Sequence, residues 1–124
     1  MDKESARVFA SAWSVEHVEK GRRIAAQGEP ESMERIILDG RAISQISDTE
    51  GGAVCVGFHA GPCVVTPNVA RTRNGTSLVS IDVIADALVA QMDSRALTEI
   101  MLASVPIREW ANGILQHELA SKAD

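Results

Sequence analysis

Lys20 to Gly40, K-G-R-R-I-A-A-Q-G-E-P-E-S-M-E-R-I-I-L-D-G, is the stretch from which the fold is read. Lys20-Gly21 opens an extended run through Ile24, and Gly28-Glu29-Pro30 reverses the chain. Glu31 to Glu34 reads as a polar turn, and Arg35 to Leu38 as a strand built on the triplet Ile36-Ile37-Leu38. Asp39-Gly40 is a dipeptide favoured in two-residue hairpins, whose turns need positive φ, so a tight turn is expected there. Strand, turn, strand, turn with β-branched residues between glycines is the pattern of an all-β sandwich or roll.

Working outward, residues 3–12 place Ala6, Val8, Phe9, Ala10 and Trp13 on or near one helical face, predicting a leading helix. Val15 and Val18 begin a first strand and Lys20 to Gln27 a second. Beyond Gly40, Ala42 to Ile46 is a strand, Asp48 to Gly52 a tight turn and Ala53 to His59 the next strand. In that strand Val54, Val56 and Phe58 share one face and Cys55, Gly57 and His59 the other. Gly61-Pro62 ends it, and Cys63-Val64-Val65 is a short apolar piece closed by Pro67. Asn68 to Gly75 has no regular pattern. Thr76 to Ile84 alternates, with Val79, Ile81 and Val83 opposite Leu78 and Ser80, and Ala87 to Met92 gives a last strand. Asp93 or Ser94 can cap a helix holding Leu97, Ile100, Met101 and Leu102. Pro106 suits the first turn of another, in which Ile107, Trp110, Ala111, Ile114 and Leu115 form an apolar stripe. The expectation is one helix, seven or eight strands, and two helices.

The chain has 124 residues, enough for one domain with a real core. Apolar residues make up 45% and charged residues 23%, the balance of a soluble globular protein. No apolar run approaches the roughly 18 residues that cross a bilayer. Residues 1–5 lack the basic-then-apolar order of a secretory signal, so the cytoplasm is expected. Twelve basic residues are scattered among seventeen acidic ones, for a net charge of −5. Binding DNA requires clustered Lys and Arg, so this chain alone is not expected to bind nucleic acid. Cys55 and Cys63 are too few for a disulfide framework and are read as two small buried thiols in strands.

Lys20, Gly21, Ile24, Gly28, Glu29, Pro30, Ile37, Leu38 and Gly40 match, in order and spacing, K-G-x-x-I-x-x-x-G-[DE]-P followed after a spacer by I-L-x-G. In these positions the chain resembles the cyclic-nucleotide-binding domain of the Crp/Fnr-type transcription regulators, and the resemblance continues more weakly to about Met92. It implies a mainly β fold with flanking helices, a double-stranded β-helix or jelly roll over about residues 14–92, with C-terminal helices over 93–121. It also implies a non-enzymatic, allosteric effector-sensing domain that lacks the DNA-binding domain of such regulators. In that family the last helix pairs with its twin across a dimer axis and leads into a helix-turn-helix. The resemblance therefore implies a homodimer seam through Ile107, Trp110 and Ile114; simple packing of that helix on the roll is the alternative. The end at Lys122-Ala123-Asp124 is expected either of the sensor half of a longer regulator or of a stand-alone sensor.

In the resembled family, F-G-E-x-x-L followed by R-S-A or R-T-A holds the cyclic nucleotide. The glycine and a helical turn bring backbone N–H groups to the phosphate, the glutamate accepts the ribose hydroxyl, and the arginine pairs with the phosphate. Counted from Gly61, F-G-E falls on Val64, Val65 and Thr66, and R-S on Thr76-Ser77. The glycine, carboxylate and guanidinium are replaced. Losing one side of a desolvated ion pair costs about 2–5 kcal/mol, roughly one and a half to three and a half decades of affinity. The ligand is thus not expected to be ordinary cyclic AMP. A small anionic or nucleotide ligand would be sought around Val65, Thr66, Arg71, Arg73, Thr76 and Ser77, with the two arginines otherwise read as solvated loop residues. Two other readings stay open: cyclic-nucleotide binding by an altered cassette, and a ligand-independent dimerisation or scaffold domain.

No metal or cofactor is expected. Cys55 and His59 on one extended strand stand roughly 13 Å apart, too far to share an ion, and Cys63 is another four residues on. A haem on His59 alone has no support beyond its use by some relatives of the family. A cupin-type metalloenzyme would cluster histidines, whereas His17, His59 and His117 lie in three different elements. Nucleophile and phosphate-loop motifs are also missing.

Overall fold

The computed structural model describes residues 2–65 and 75–113. By internal contacts the chain divides into two compact units, Ser14–Asp93 on one hand and Met1–Trp13 with Ser94–Asp124 on the other. The first unit holds six strands: β1 (Ser14–Val18), β2 (Arg23–Ala25), β3 (Met33–Ser47), β4 (Ala53–Ala60), β5 (Cys63–Val65) and β6 (Ser80–Asp93). The second holds α1 (Lys3–Ser11), α2 (Ser94–Ala103) and a helical segment over 105–113.

The β unit is built on its two long strands. β3 and β6 run antiparallel from Met33 opposite Asp93 to Gln45 opposite Ser80. The short strands add to this ribbon in halves. β1 pairs β6 over Ala87 to Gln91, and β2 pairs it near Ile81 and Asp82. β5 pairs β3 over Arg35 to Ile37, and β4 pairs it over Arg41 to Ser47. This is an antiparallel β-roll, within what the glycine-punctuated pattern led us to expect, and the jelly roll that the resemblance implied. Its interior is filled by Val18, Ala25, Ile37, Ala42, Val65, Val79, Ile81, Val83, Ala87 and Val89.

Asp39-Gly40 departs from expectation. It forms no hairpin turn, because β3 runs straight through it and the pairing register shifts on both sides. The positive φ of Gly40, +97°, serves a β-bulge instead. A Cβ at Gly40 would stand 2.6 Å from both Ala87 Cα and Asp86 O, so β3 meets β6 here at a distance only glycine permits. Gly61 makes a second close approach: its N–H donates to Gly40 O at 3.0 Å, and a Cβ on it would lie 2.8 Å from Asp39 Cα. The break expected between Ile84 and Ala87 is likewise absent, since β6 is continuous. Seven or eight strands therefore become six among the described residues.

Elsewhere the turn chemistry works as expected. Asp48 Oδ1 accepts from Glu50 N and Gly52 N at 2.9 and 2.8 Å, closing the β3–β4 hairpin. In β4 a bulge lies between Cys55 and Gly57, and Val54, Val56 and Phe58 are all exposed. Cys55 is exposed too and Cys63 only half-buried, which corrects the expectation of two buried thiols. Both lie on edge strands, for β4 and β5 each pair with β3 alone among the described residues.

In the helical unit, Asp2 caps α1 by accepting from Ser5 N at 2.7 Å, and this hydrogen bond holds its carboxyl below the usual range. Phe9 lies edge-on to both Trp13 and Trp110, with ring centroids 5.6 and 5.0 Å apart. No described helix is long and apolar enough to cross a membrane.

Candidate functional site

The sequence points to the region either side of residues 66–74. Thr66, Arg71 and Arg73 lie outside the described residues, while Val65, Thr76 and Ser77 lie within them. Val65 is the last residue of β5, paired with Arg35 and 5% exposed. Its isopropyl group thus fills interior space at the position where the resembled cassette has glycine. Ser77 is buried, and its hydroxyl is engaged locally, donating to Val79 O at 2.6 Å.

The far end of the region is held by the β2–β3 connection. Glu31 N donates to Gly75 O at 2.7 Å, Ser77 N to Glu29 O at 2.9 Å and Gly28 N to Ser77 O at 2.9 Å, while Pro30 and Thr76 form an isolated bridge. Gly28-Glu29-Pro30, the turn read from the sequence, therefore braces the segment that carries Thr76 and Ser77.

The structure adds two residues that sequence reasoning assigned no role. Arg35, the first residue of the expected strand, is only 7% exposed. Its Nη1 lies 2.9 Å from Glu31 Oε1, with both side chains buried. The two are at ion-pair distance but poorly aligned: neither Nε nor Nη1 of Arg35 has a hydrogen-bond partner among the described residues. Glu31 Oε1 also accepts from Met33 N at 2.9 Å. A buried donor without an acceptor costs about 1–3 kcal/mol, and more when it is charged. Because residues directly opposite one another in antiparallel strands share a face, Arg35 rises from β3 on the side where Val65 is buried. Arg35 thus brings a guanidinium to the side of β3 on which Val65 is buried. The available signal was the charge at the head of R-I-I-L, where an apolar strand does not call for one.

Two other polar clusters lie on the roll. Arg23 Nε and Nη2 donate to Asp82 Oδ1 and Oδ2 at 2.7 and 3.1 Å, and Gln45 Nε2 donates to Asp82 Oδ2 at 2.9 Å. The Arg23 hydrogen bond, more than its charge, holds the Asp82 carboxyl below the usual range against the opposing effect of burial. Ser44 Oγ and His59 Nε2 are 2.7 Å apart beside Gly57. Among the described residues no three His, Cys, Asp or Glu side chains come together as a metal site, and His117 lies outside them.

Of the three residues named for a dimer seam, Ile107 is 1% exposed within a single chain. Trp110 is 38% exposed with its ring against Phe9, and Ile114 lies outside the described residues.

No protein-family model matches the sequence, and no curated protein does. Solved structures match it closely in fold. The c-di-GMP responsive global regulator CLP of Xanthomonas campestris superposes with a TM-score of 0.85 at 10% identity, over 98% of this chain and 59% of that one. The N-terminal domain of a transcriptional regulator from Streptomyces coelicolor superposes at 0.77 with 10% identity, over 100% and 86%. The catabolite activator protein of Thermus thermophilus does so at 0.71 with 13% identity, over 98% and 61%. The chain thus spans about three-fifths of the two full regulators. At these identities what is shared is the fold, a mainly antiparallel β jelly roll with flanking helices.

Proposed function

We propose that this chain, folded as cyclic-nucleotide-binding domains are, is the non-enzymatic effector-sensing module of a Crp/Fnr-like transcription regulator. Its ligand is a small anionic compound other than ordinary cyclic AMP. One observation carries the choice of ligand: Val65 is packed into the interior at the cassette's glycine position. A side chain there removes the close backbone approach that a cyclic phosphate needs. Thr76 in place of arginine, and Thr66 in place of glutamate, support the same reading.

In this reading the signal enters beside Val65, Thr76 and Ser77, with Arg71 and Arg73 as further candidates, and the C-terminal helices report it. A ligand shifts such helices only in so far as it binds two arrangements unequally. A homodimer would form through the C-terminal helix. Its seam would use Trp110, which keeps exposed surface, and Ile114, rather than Ile107, which its own chain already buries. Thermal shift of the 124-residue chain with cyclic AMP, cyclic GMP, cyclic di-GMP and small metabolite anions tests the reading. Cyclic AMP at 1 mM should leave the midpoint unmoved while another anion raises it. Tight binding of cyclic AMP would overturn the assignment.

A further inference from the structure

We infer that Arg35 is the anchor for the anionic part of the ligand, a phosphate or carboxylate oxyanion, and that Glu31 is the internal carboxylate competing with it. The inference deepens the sensor reading above and rests on it. Three observations support it. Arg35 is a permanently charged side chain, more than nine-tenths buried, with two N–H-bearing nitrogens lacking a hydrogen-bond partner among the described residues. Its one ion-pair neighbour among the described residues, Glu31, stands 2.9 Å from Nη1 without hydrogen-bond alignment, and among them Nε is left unanswered. Finally, Arg35 is opposite Val65, while the Glu31 backbone is bonded to Gly75, so the pair is tied to both ends of residues 66–74.

A buried guanidinium demands oxygen acceptors, and a packed apolar core offers none. Backbone carbonyls of β3 are committed to the β5 and β6 ladders. An oxyanion satisfies Nε–H with a charge-assisted hydrogen bond, the strongest kind open to it. The nearby Glu31 carboxylate repels that anion, so affinity is held down by a residue of the site itself. Glu31 would thus set how much ligand is needed.

The test uses the whole chain with three named probes: inorganic phosphate, acetate and cyclic AMP. Proton–nitrogen NMR follows the Arg35 Nε–H resonance, assigned by its loss in Arg35→Lys, while calorimetry measures binding. At least one probe should move that resonance saturably. Arg35→Met should weaken its binding by about thirtyfold or more, the loss expected when one side of a desolvated charge pair is removed. Glu31→Gln, which keeps the shape and removes the charge, should tighten it. Arg35→Met could instead fail to fold; the resonance shift and the Glu31→Gln affinity then decide. Unchanged binding in Arg35→Met, or a ligand from the thermal screen that leaves the Nε–H resonance still, would overturn the anchor while the sensor reading stands. If no anion of the screen or of these three binds, both fall together.

Discussion

Gly40 shows most clearly how one residue governs this molecule. Its backbone sits at φ +97° with Ala87 and Asp86 backbone atoms 2.6 Å from where a Cβ would be. Gly40→Ala should therefore combine left-handed strain with a backbone collision that no side-chain rotation relieves. We expect a loss of about 3 kcal/mol or more, read as a fall in melting temperature of roughly 10 °C or beyond. Gly113→Ala is the control. Nothing lies within 4 Å of its Cβ position, and that helical residue should gain up to about 1 kcal/mol. Asp82 provides a pH-dependent counterpart. Its carboxyl titrates lower in the folded chain than unfolded, because Arg23 and Gln45 hydrogen-bond the charged form. The stabilisation is therefore present above the unfolded carboxyl's value and lost as pH falls through the lower, folded one. With Arg23 half exposed, Asp82→Asn should cost about 1 kcal/mol at pH 7. Urea midpoints of the variant and the parent should converge as pH falls through the lowered, folded value of Asp82.

Among the elements, the two long strands and the helical unit answer to different forces. β3 and β6 are held by a ladder and by Ile37, Val83 and Val89, all essentially inaccessible to water. The helical unit depends on a few large side chains, Phe9, Trp110 and Ile107. Ile107→Ala should cost about 2–4 kcal/mol, whereas Leu102→Ala, on an exposed position of α2, should stay within about 0.5 kcal/mol. Thermal melts followed by circular dichroism would separate them. The β4 strand carries Val54, Val56 and Phe58 outward. The single face expected for all three does not hold, because the bulge between Cys55 and Gly57 sets Val54 opposite Ile46 and Phe58 opposite Ile43, three residues apart and so on opposite faces of β3.

For the molecule as a whole, charge and fold point the same way. With twelve basic residues against seventeen acidic ones, the chain should show no DNA retardation at physiological salt, as a gel-shift assay would check. The site is less legible than the fold. Val65, Thr76 and Ser77 enter the proposed site by counting from Gly61, since a motif preserves spacing along the chain. Arg35 and Glu31 were not, since their relation to Val65 and Gly75 is made across strands rather than along them.

What the sequence determined unaided was the class of fold: glycines and β-branched runs in Lys20–Gly40, the Asp48–Gly52 turn, and the helix-forming periodicities at either end. These are local preferences, and local preferences survive being read one residue at a time. Only the tertiary structure decided that Asp39-Gly40 makes a bulge within a strand rather than ending it. Positive φ serves a turn or a bulge equally well, and the choice was made by β6 passing within 2.6 Å of where a Gly40 Cβ would stand. It decided likewise that the Arg35 guanidinium is buried on the side of β3 that faces Val65. Burial belongs to the assembled strands and to no residue alone.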